Sequence, residues 1–416
     1  MTPRSFHFPL PPRRLRILSI LALAPCLGIS SADTPSATDG GQRLAECLAP
    51  IWQPGTQHNE SVLLWARDGE RPSAPLLFHA DKILSVRDSA LETVYEEGRD
   101  WIYRDGKLVL PEGSRVPWMS AAELFPSEPG APKPRTTFPR RSGGYLLFRE
   151  GNFFHQRQIA VTYRHHATPR LDNFSAPQIA TKNLPRSLAK LRAREPFTII
   201  AYGDSITVGA NASGFGKTPV APHQPVWTEL FRRWLARACA HDSVTLRNKA
   251  VGGKGSAWGM QNADSALGQD PADLVIIAFG MNDRGMHPGH FHGHILRIME
   301  AARKANPEVE FILVQSMLNN PDWQSHGNLP AFGKILQKLA GPGVAFCDMA
   351  AVHSAFLKRK RYEDMTGNHV NHPNDFLIRA YAQTVAAQLA PLPLKTRPLP
   401  PPPLSLSIAT ATNPTP

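Results

Sequence analysis

The sequence predicts two folded regions of different class, a jelly-roll-like β-sandwich followed by a three-layer α/β domain. Of 416 residues, 42% are hydrophobic and 19% are charged, which is enough apolar material for two ordinary domains and too much for a disordered chain. Apolar runs in the first half are short or alternating, as in half-buried antiparallel strands. Runs after residue 196 are nearly continuous, as in parallel strands buried on both faces. The change of pattern predicts a sandwich domain at 40–183 and an α/β domain at 196–390.

The first 32 residues have the pattern of a secretory signal peptide. Arg13, Arg14 and Arg16 precede an apolar run from Ile17 to Ile29, and small residues follow up to Ala32. The run is too short to span a bilayer, so no transmembrane anchor is expected. A lipid anchor at Cys26 is disfavoured because Pro25 precedes the cysteine. We therefore expect a secreted or periplasmic protein.

The sandwich is predicted from six strand-like runs and one tight turn. The turn is Arg104-Asp105-Gly106, because Asp-Gly tolerates the positive backbone angles of a hairpin. The segment from Pro126 to Arg141 holds five prolines and is predicted as a long surface loop. The predicted strands lie at 61–65, 83–86, 101–103, 107–110, 145–148 and 158–163.

The α/β domain is predicted from strands that alternate with amphipathic helices. A helix-prone linker at 184–194 precedes it, and a Pro-rich tail at 391–416 follows it and is expected to be extended and disordered. Its predicted strands lie at 197–202, 244–246, 274–279, 309–314 and 344–347. Its predicted helices lie at 227–240, 295–305, 329–340 and 375–389.

Four short segments at strand ends or helix starts carry side chains for acyl-transfer chemistry. Ser205, in Gly203-Asp204-Ser205, follows the first strand of the domain and is a candidate nucleophile. Gly253 follows the second strand, Asn282 ends the third, and His372 opens the last helix as a candidate base. Backbone N–H groups and an amide could stabilise an oxyanion, while the histidine could take the serine's proton.

In this order the four segments resemble the SGNH hydrolase superfamily, also called GDSL esterases and lipases. The resemblance covers about 196–390 and implies a flavodoxin-like three-layer fold. It implies that His372 activates Ser205, and that the backbone N–H groups of Ser205 and Gly253 form an oxyanion hole with the Asn282 amide. It implies neither a metal nor a cofactor. The order of the two domains resembles two-domain carbohydrate esterases that deacetylate polysaccharides.

The sequence departs from the family at the third triad position. The family pattern is Asp-x-x-His, whereas His369 stands three residues before His372. The second ring nitrogen of the base still needs an acceptor that fixes its tautomer. Three acceptors are open from the sequence: the main-chain carbonyl near His369, the carboxylate of Asp364, and that of Asp375, which also suits a helix cap.

Other features near the motifs are interpreted as supporting structure. His287, His290, His292 and His294 are expected on a solvated loop at the active-site rim, with metal binding as the alternative. The loop from Ala210 to Pro225, which includes Asn211, is expected to form a wall of the pocket. Asp204 and Asp283 are expected to brace loops, and Trp258 to pack rather than to stack on a sugar.

The sequence thus predicts an exported serine esterase acting on an O-acetyl or other short acyl ester, with a carbohydrate as the expected alcohol. One alternative is a lipase or acyltransferase with the same residues. The other is a catalytically inactive carbohydrate-binding protein, suggested by the missing aspartate. Nucleic acid is not an expected partner, because no basic run with interleaved aromatic residues occurs after the signal peptide. The oligomeric state is left open.

Overall fold

The computed structural model describes residues 44–133, 135–166 and 182–389. The predicted signal peptide at 1–32 and the predicted tail at 391–416 lie outside these residues and stay predictions. The strands are β1 (Gly55–Leu63), β2 (Trp65–Ala66), β3 (Ser73–Pro75), β4 (Lys82–Asp88), β5 (Val94–Tyr95), β6 (Ile102–Arg104), β7 (Lys107–Val109), β8 (Met119–Ser120), β9 (Thr137–Pro139), β10 (Tyr145–Leu147), β11 (Gln158–His165), β12 (Phe197–Gly203), β13 (Val244–Asn248), β14 (Leu274–Ala278), β15 (Glu310–Gln315) and β16 (Val344–Asp348).

After a helical turn at 44–48, nine α-helices follow in the described residues. They are α1 (Ala121–Leu124), α2 (Pro185–Ala193), α3 (Ser205–Val208), α4 (Trp227–Cys239), α5 (Ser256–Ala266), α6 (Pro288–Ala305), α7 (Leu329–Leu339), α8 (Met349–Leu357) and α9 (Asp375–Ala386).

The C-terminal region is built on a five-stranded parallel sheet in the order β13-β12-β14-β15-β16. Successive residues of its strands enter two different apolar clusters. Ile199 and Ile276 pack on the side of α4, α8 and α9, whereas Ile200 and Ile277 pack on the side of α5, α6 and α7. Because side chains alternate across a strand, both faces are covered by helices and the region has three layers. The predicted α/β fold with flavodoxin-like strand order is confirmed for this region.

The N-terminal region forms three small sheets. A four-stranded antiparallel sheet has the order β1-β11-β4-β5, a five-stranded sheet has the order β6-β7-β3-β2-β8, and β9 pairs with β10. The predicted hairpin is confirmed, since β6 and β7 pair around Asp105 and Gly106, both of which have positive φ. The β-sandwich and the domain boundaries remain predictions.

Three details of the sequence prediction are corrected. The segment from Pro126 to Arg141 is not loop throughout, because Thr137–Pro139 pairs with β10. Helix α6 begins at Pro288 rather than at residue 295, since Pro at the first helical turn is a favourable start. Helices α5 and α8 were not predicted: α5 is rich in Gly, Ser and Asn, and α8 is apolar on most sides.

The N-terminal sheet shares a hydrophobic core with the α/β region. Val62 of β1 and Val161 of β11 belong to the same buried cluster as Phe376 and Ile378 of α9. The buried Arg379 of α9 donates hydrogen bonds to main-chain carbonyls of the β1 strand. The two regions are therefore packed as one continuous apolar interior on this side of the sheet.

Candidate active site

Ser205 lies at the carboxyl end of strand β12, the first strand of the α/β region in sequence, as the sequence predicted. Strand β12 ends at Gly203, Asp204 caps the short helix α3, and Ser205 is the first helical residue. Gly203 is required here because a Cβ atom would lie 2.4 Å from the carbonyl oxygen of Ala278 and 2.4 Å from Thr207 Oγ1. The close approach of β14 brings the Asn282 segment to the same edge of the sheet.

His372 faces Ser205 directly. The Nε2 atom of His372 lies 2.9 Å from Ser205 Oγ, a hydrogen-bond distance. The imidazole is mostly buried, with 11% of its side-chain surface exposed. The main-chain N–H of His372 donates to Asn368 Oδ1, and its carbonyl accepts from Gly367 N, so the backbone of this loop is fixed on both sides.

The other ring nitrogen of His372 contacts two residues that the sequence did not single out for this role. Nδ1 lies 2.7 Å from Asn211 Oδ1 and 3.4 Å from Glu150 Oε2. Asn211 belongs to the loop that follows the nucleophile, whereas Glu150 follows β10 in the N-terminal region. The base is therefore flanked by one residue from each half of the chain.

Hydrogen bonds fix the orientation of the Asn211 amide. Its Nδ2 donates to the carbonyl oxygens of Gly151 and Gly367, at 2.9 and 3.1 Å. The oxygen Oδ1 must then face His372, and only a protonated Nδ1 can donate to it. Nε2 is consequently the unprotonated nitrogen in the neutral ring, and it accepts from the Ser205 hydroxyl.

None of the three acceptors considered from the sequence serves His372. The carbonyl of His369 accepts from Asn320 Nδ2, and the His369 ring lies 3.2 Å from Glu363. Asp364 accepts from the main-chain N–H groups of Leu63 and Arg361. Asp375 accepts from Ser213 N, in keeping with its position at the start of α9. The prediction of these acceptors was wrong. The sequence could not indicate Glu150, because it is far from His372 in sequence and no local spacing marks it.

The remaining predicted site residues lie around the same serine. A Cβ atom on Gly252 would lie 3.9 Å from Ser205 Cβ, and Gly253 follows with φ of +73°. Asn282 lies in a short 3-10 helix after β14, and its Nδ2 donates to the carbonyl of Lys254. The structure thus brings the Gly253 and Asn282 segments into contact beside the nucleophile.

Two buried aspartates support the loops of the site. Asp204 accepts from Ile206 N at 3.0 Å, and burial raises the pKa of its carboxyl to about 7. Asp283 accepts from the main-chain N–H and the hydroxyl of Ser256, and burial raises its pKa as well. Both bind backbone at helix starts, which favours the bracing role.

The histidine cluster lies on a helix rather than on a loop. His287 caps α6 by accepting from Gly289 N, and His294 Nδ1 lies 3.0 Å from Ser256 Oγ. Within the described residues no three His, Cys, Asp or Glu side chains are grouped as metal ligands would be. Trp258 is partly buried against Tyr202, with ring centroids 6.0 Å apart, so the structure favours packing for it.

Comparison with known families identifies the domain that carries these residues. Residues 201–376 match the family described as GDSL-like Lipase/Acylhydrolase family. The chain carries a GDSL-family hydrolase domain. The predicted resemblance is confirmed for this part of the chain. No curated protein matches the chain.

Solved structures similar to this chain include several carbohydrate esterases. A two-domain esterase active on acetylated mannans is 20% identical, with a TM-score of 0.44 over 57% of this chain and 60% of its own. A carbohydrate esterase of family 3 from Talaromyces cellulolyticus is 17% identical, with a TM-score of 0.37 over 46% and 96%. A variant of an acetyl-xylooligosaccharide esterase from Geobacillus stearmophilus is 15% identical, with a TM-score of 0.39 over 47% and 94%.

None of the helices in the described part of the chain has the length and apolar character of a membrane span.

Proposed function

We propose that this GDSL-family chain is an exported serine esterase that removes a short acyl group, O-acetyl above all, from a carbohydrate. The observation that carries the proposal is the 2.9 Å contact between Ser205 Oγ and an unprotonated His372 Nε2 at the carboxyl edge of the parallel sheet. A serine hydroxyl becomes a useful nucleophile only when a neighbouring base takes its proton.

In the first half of the reaction, Ser205 Oγ attacks the ester carbonyl carbon while its proton passes to His372 Nε2. A tetrahedral intermediate forms with its negative charge on the former carbonyl oxygen. The imidazolium then donates its proton to the alcohol oxygen, the bond between acyl carbon and alcohol oxygen breaks, and the alcohol leaves. The acyl group remains bonded to Ser205.

The developing oxyanion needs donors on the side of Ser205 opposite the base. The main-chain N–H of Ser205 is among the unpaired donors of a helix start. The main chain of Gly253 and the amide of Asn282 complete the set that we assign to this role. Donors of this kind contribute about 10²- to 10³-fold each to turnover.

In the second half of the reaction, water replaces the alcohol. His372 takes a proton from water, the resulting hydroxide attacks the acyl carbon, and the proton returns to Ser205 as the acid is released. The same residues serve both halves, so no further group is needed.

The short acyl group and the carbohydrate alcohol are proposed from the openness of the site. Val251, Gly252, Gly253 and Lys254 are all exposed beside the nucleophile. An open rim suits a large alcohol, whereas a long acyl chain needs an apolar channel. Export is proposed from the signal-peptide pattern at 1–32.

The test is hydrolysis of p-nitrophenyl acetate and of acetylated oligosaccharides by the wild-type protein and by Ser205→Ala. We expect release of acetate by the wild type and a loss of at least about 10³-fold in the variant, because the nucleophile is gone. Equal rates would refute the serine mechanism. Preference for long acyl chains, or for an acceptor alcohol over water, would favour the lipase or acyltransferase alternative.

A further inference from the structure

We propose that Glu150, a residue of the N-terminal region, acts with Asn211 in place of the aspartate that this chain lacks, as the positioning partner of His372. The inference rests on the proposed function and deepens it, because it names the group that orients and charges the base. The role of a single carboxylate is shared here by the neutral amide of Asn211 and the more distant carboxylate of Glu150.

Glu150 is held in place by neighbours from the α/β region. Its Oε1 accepts from Asn368 Nδ2 at 3.1 Å, while Oε2 lies 3.4 Å from His372 Nδ1. Asn368 Oδ1 in turn accepts from the main-chain N–H of His372. The carboxylate, the histidine loop and the amide of Asn211 therefore form one hydrogen-bonded group.

The two partners supply different properties. The Asn211 oxygen at 2.7 Å is the direct acceptor for the Nδ1 proton and fixes the tautomer. An uncharged amide, however, does little to stabilise the imidazolium that forms when Ser205 loses its proton. The Glu150 carboxylate supplies that negative charge, and it does so with about half of its side-chain surface exposed.

Two carboxylates lie near His372 among the groups packed around it. Glu150 faces Nδ1 from the N-terminal region, and Asp204 lies beside the nucleophile on the α/β side. Burial acts to raise the pKa of Glu150, but its contacts with His372, Asn368 and Asn211 outweigh burial and leave it lowered. Glu150 is then a negatively charged group beside Nδ1, and its removal should destabilise the imidazolium form of His372.

The first experiment compares Glu150→Gln with the wild type on p-nitrophenyl acetate across pH. We expect kcat to fall by about 10- to 100-fold with KM little changed, less than the ~10⁴-fold seen when a serine triad loses tautomer control, because Asn211 remains. The acidic limb of the kcat/KM profile should move to lower pH. The matched control is Glu112→Gln, an exposed glutamate of the same region that should change neither quantity.

A second variant tests for rescue. Glu150→Ala leaves a solvent-accessible gap beside Nδ1, and added formate should restore part of the lost activity there. Formate should not restore Ser205→Ala, nor Glu150→Gln, where the amide fills the gap. A merely structural role for Glu150 would give no rescue in any variant.

The pKa of His372 separates this inference from the proposed function. It can be measured by NMR in the Ser205→Ala background, with and without Glu150→Gln, and this needs no turnover. We expect the second substitution to lower it. An unchanged pKa, or an unchanged pH profile in Glu150→Gln, would overturn the assignment of Glu150. A lowered pKa in a protein that hydrolyses no ester would instead refute the proposed function and leave the role of Glu150 standing.

Discussion

Asp204, the residue before Ser205, holds the local geometry although burial of its carboxylate is unfavourable. Asp204 is almost completely buried, yet it caps α3 and holds the turn on which Ser205 lies. Its Oδ2 atom is buried without a hydrogen-bond partner. A carboxylate in this position is penalised when ionised, which is why its pKa rises to about 7.

This shift predicts how stability depends on pH. Between about pH 4 and pH 7 the unfolded chain has lost the Asp204 proton while the folded chain retains it, so this residue lowers stability as pH rises through that range. Asp204→Asn keeps a capping oxygen and has no charge to bury. We expect the variant to gain stability relative to the wild type by a few kcal/mol at pH 8, roughly the value of such a shift, and to gain little at pH 4.

The measurement is urea denaturation of both proteins at the two pH values. Asp264→Asn, at an exposed site on α5, serves as the control and should not reproduce the pH-dependent difference. If the free energies of unfolding of Asp204→Asn and wild type differed by the same amount at pH 4 and pH 8, the predicted ionisation would be contradicted.

At the level of the site, the sequence was sufficient for residues that stand next to strand ends. Ser205 and Asn282 each follow a buried apolar strand, whereas Gly253 follows the edge strand β13. Parallel strands present their carboxyl ends at one edge of the sheet. His372 was found because it opens a helix after a polar loop. Glu150 follows a three-residue strand that pairs with only one other, and a lone glutamate there has no local pattern. Only the folded contact at Nδ1 reveals it.

Elements with clear periodicity were predicted within a few residues, and those that rely on tertiary packing were not. The buried strands β12 and β14 and the amphipathic helix α4 match their predicted ranges closely. The two- and three-residue strands β2, β5 and β9 were missed. They are defined by their pairing partners rather than by their own side chains, so a local pattern could not indicate them.

Helix α9 illustrates how an element is joined to a distant one. Its N-cap, Asn374, accepts from Leu377 N through Oδ1. Through Nδ2 it also donates to Ser61 Oγ, Gln158 Oε1 and the carbonyl of Asp364. One buried amide therefore connects the helix after His372 to strands β1 and β11.

We expect Asn374→Ala to lower the free energy of unfolding by about 2–4 kcal/mol, more than the ~1 kcal/mol of an ordinary cap, because buried acceptors also lose their donor. The comparison is Ser120→Ala, the cap of the exposed helix α1, which should cost about 1 kcal/mol. Guanidinium denaturation measures both. Equal losses of unfolding free energy in the two variants would mean that the contacts of Asn374 with the N-terminal sheet add nothing to stability.

At the scale of the whole molecule, the two regions are expected to depend on each other for folding. The apolar cluster that includes Val62 and Tyr163 continues into α9, and removing the first region would expose that face of the helix. The buried Arg379 would lose both carbonyl partners, and Asp364 would lose the Leu63 N–H. The apolar face of α9 would then be in contact with water, which is strongly destabilising.

A fragment that begins at residue 182 should therefore be poorly folded and inactive. The expected result is little soluble protein, a broad thermal transition and no hydrolysis of p-nitrophenyl acetate, compared with the full chain prepared in parallel. A soluble fragment with a sharp transition and unchanged kcat would show that the second region is independent, and it would also contradict the role of Glu150.

The long separation in sequence between Glu150 and His372 has a consequence for the synthesis of the proposed site. A ribosome makes Glu150 early and His372 more than 200 residues later. Until residue 372 has emerged from the ribosome, Glu150 and Ser205 are present without the histidine that contacts both of them in the folded chain. A shorter nascent chain therefore holds the proposed nucleophile without its proposed base and cannot cleave an ester by this route.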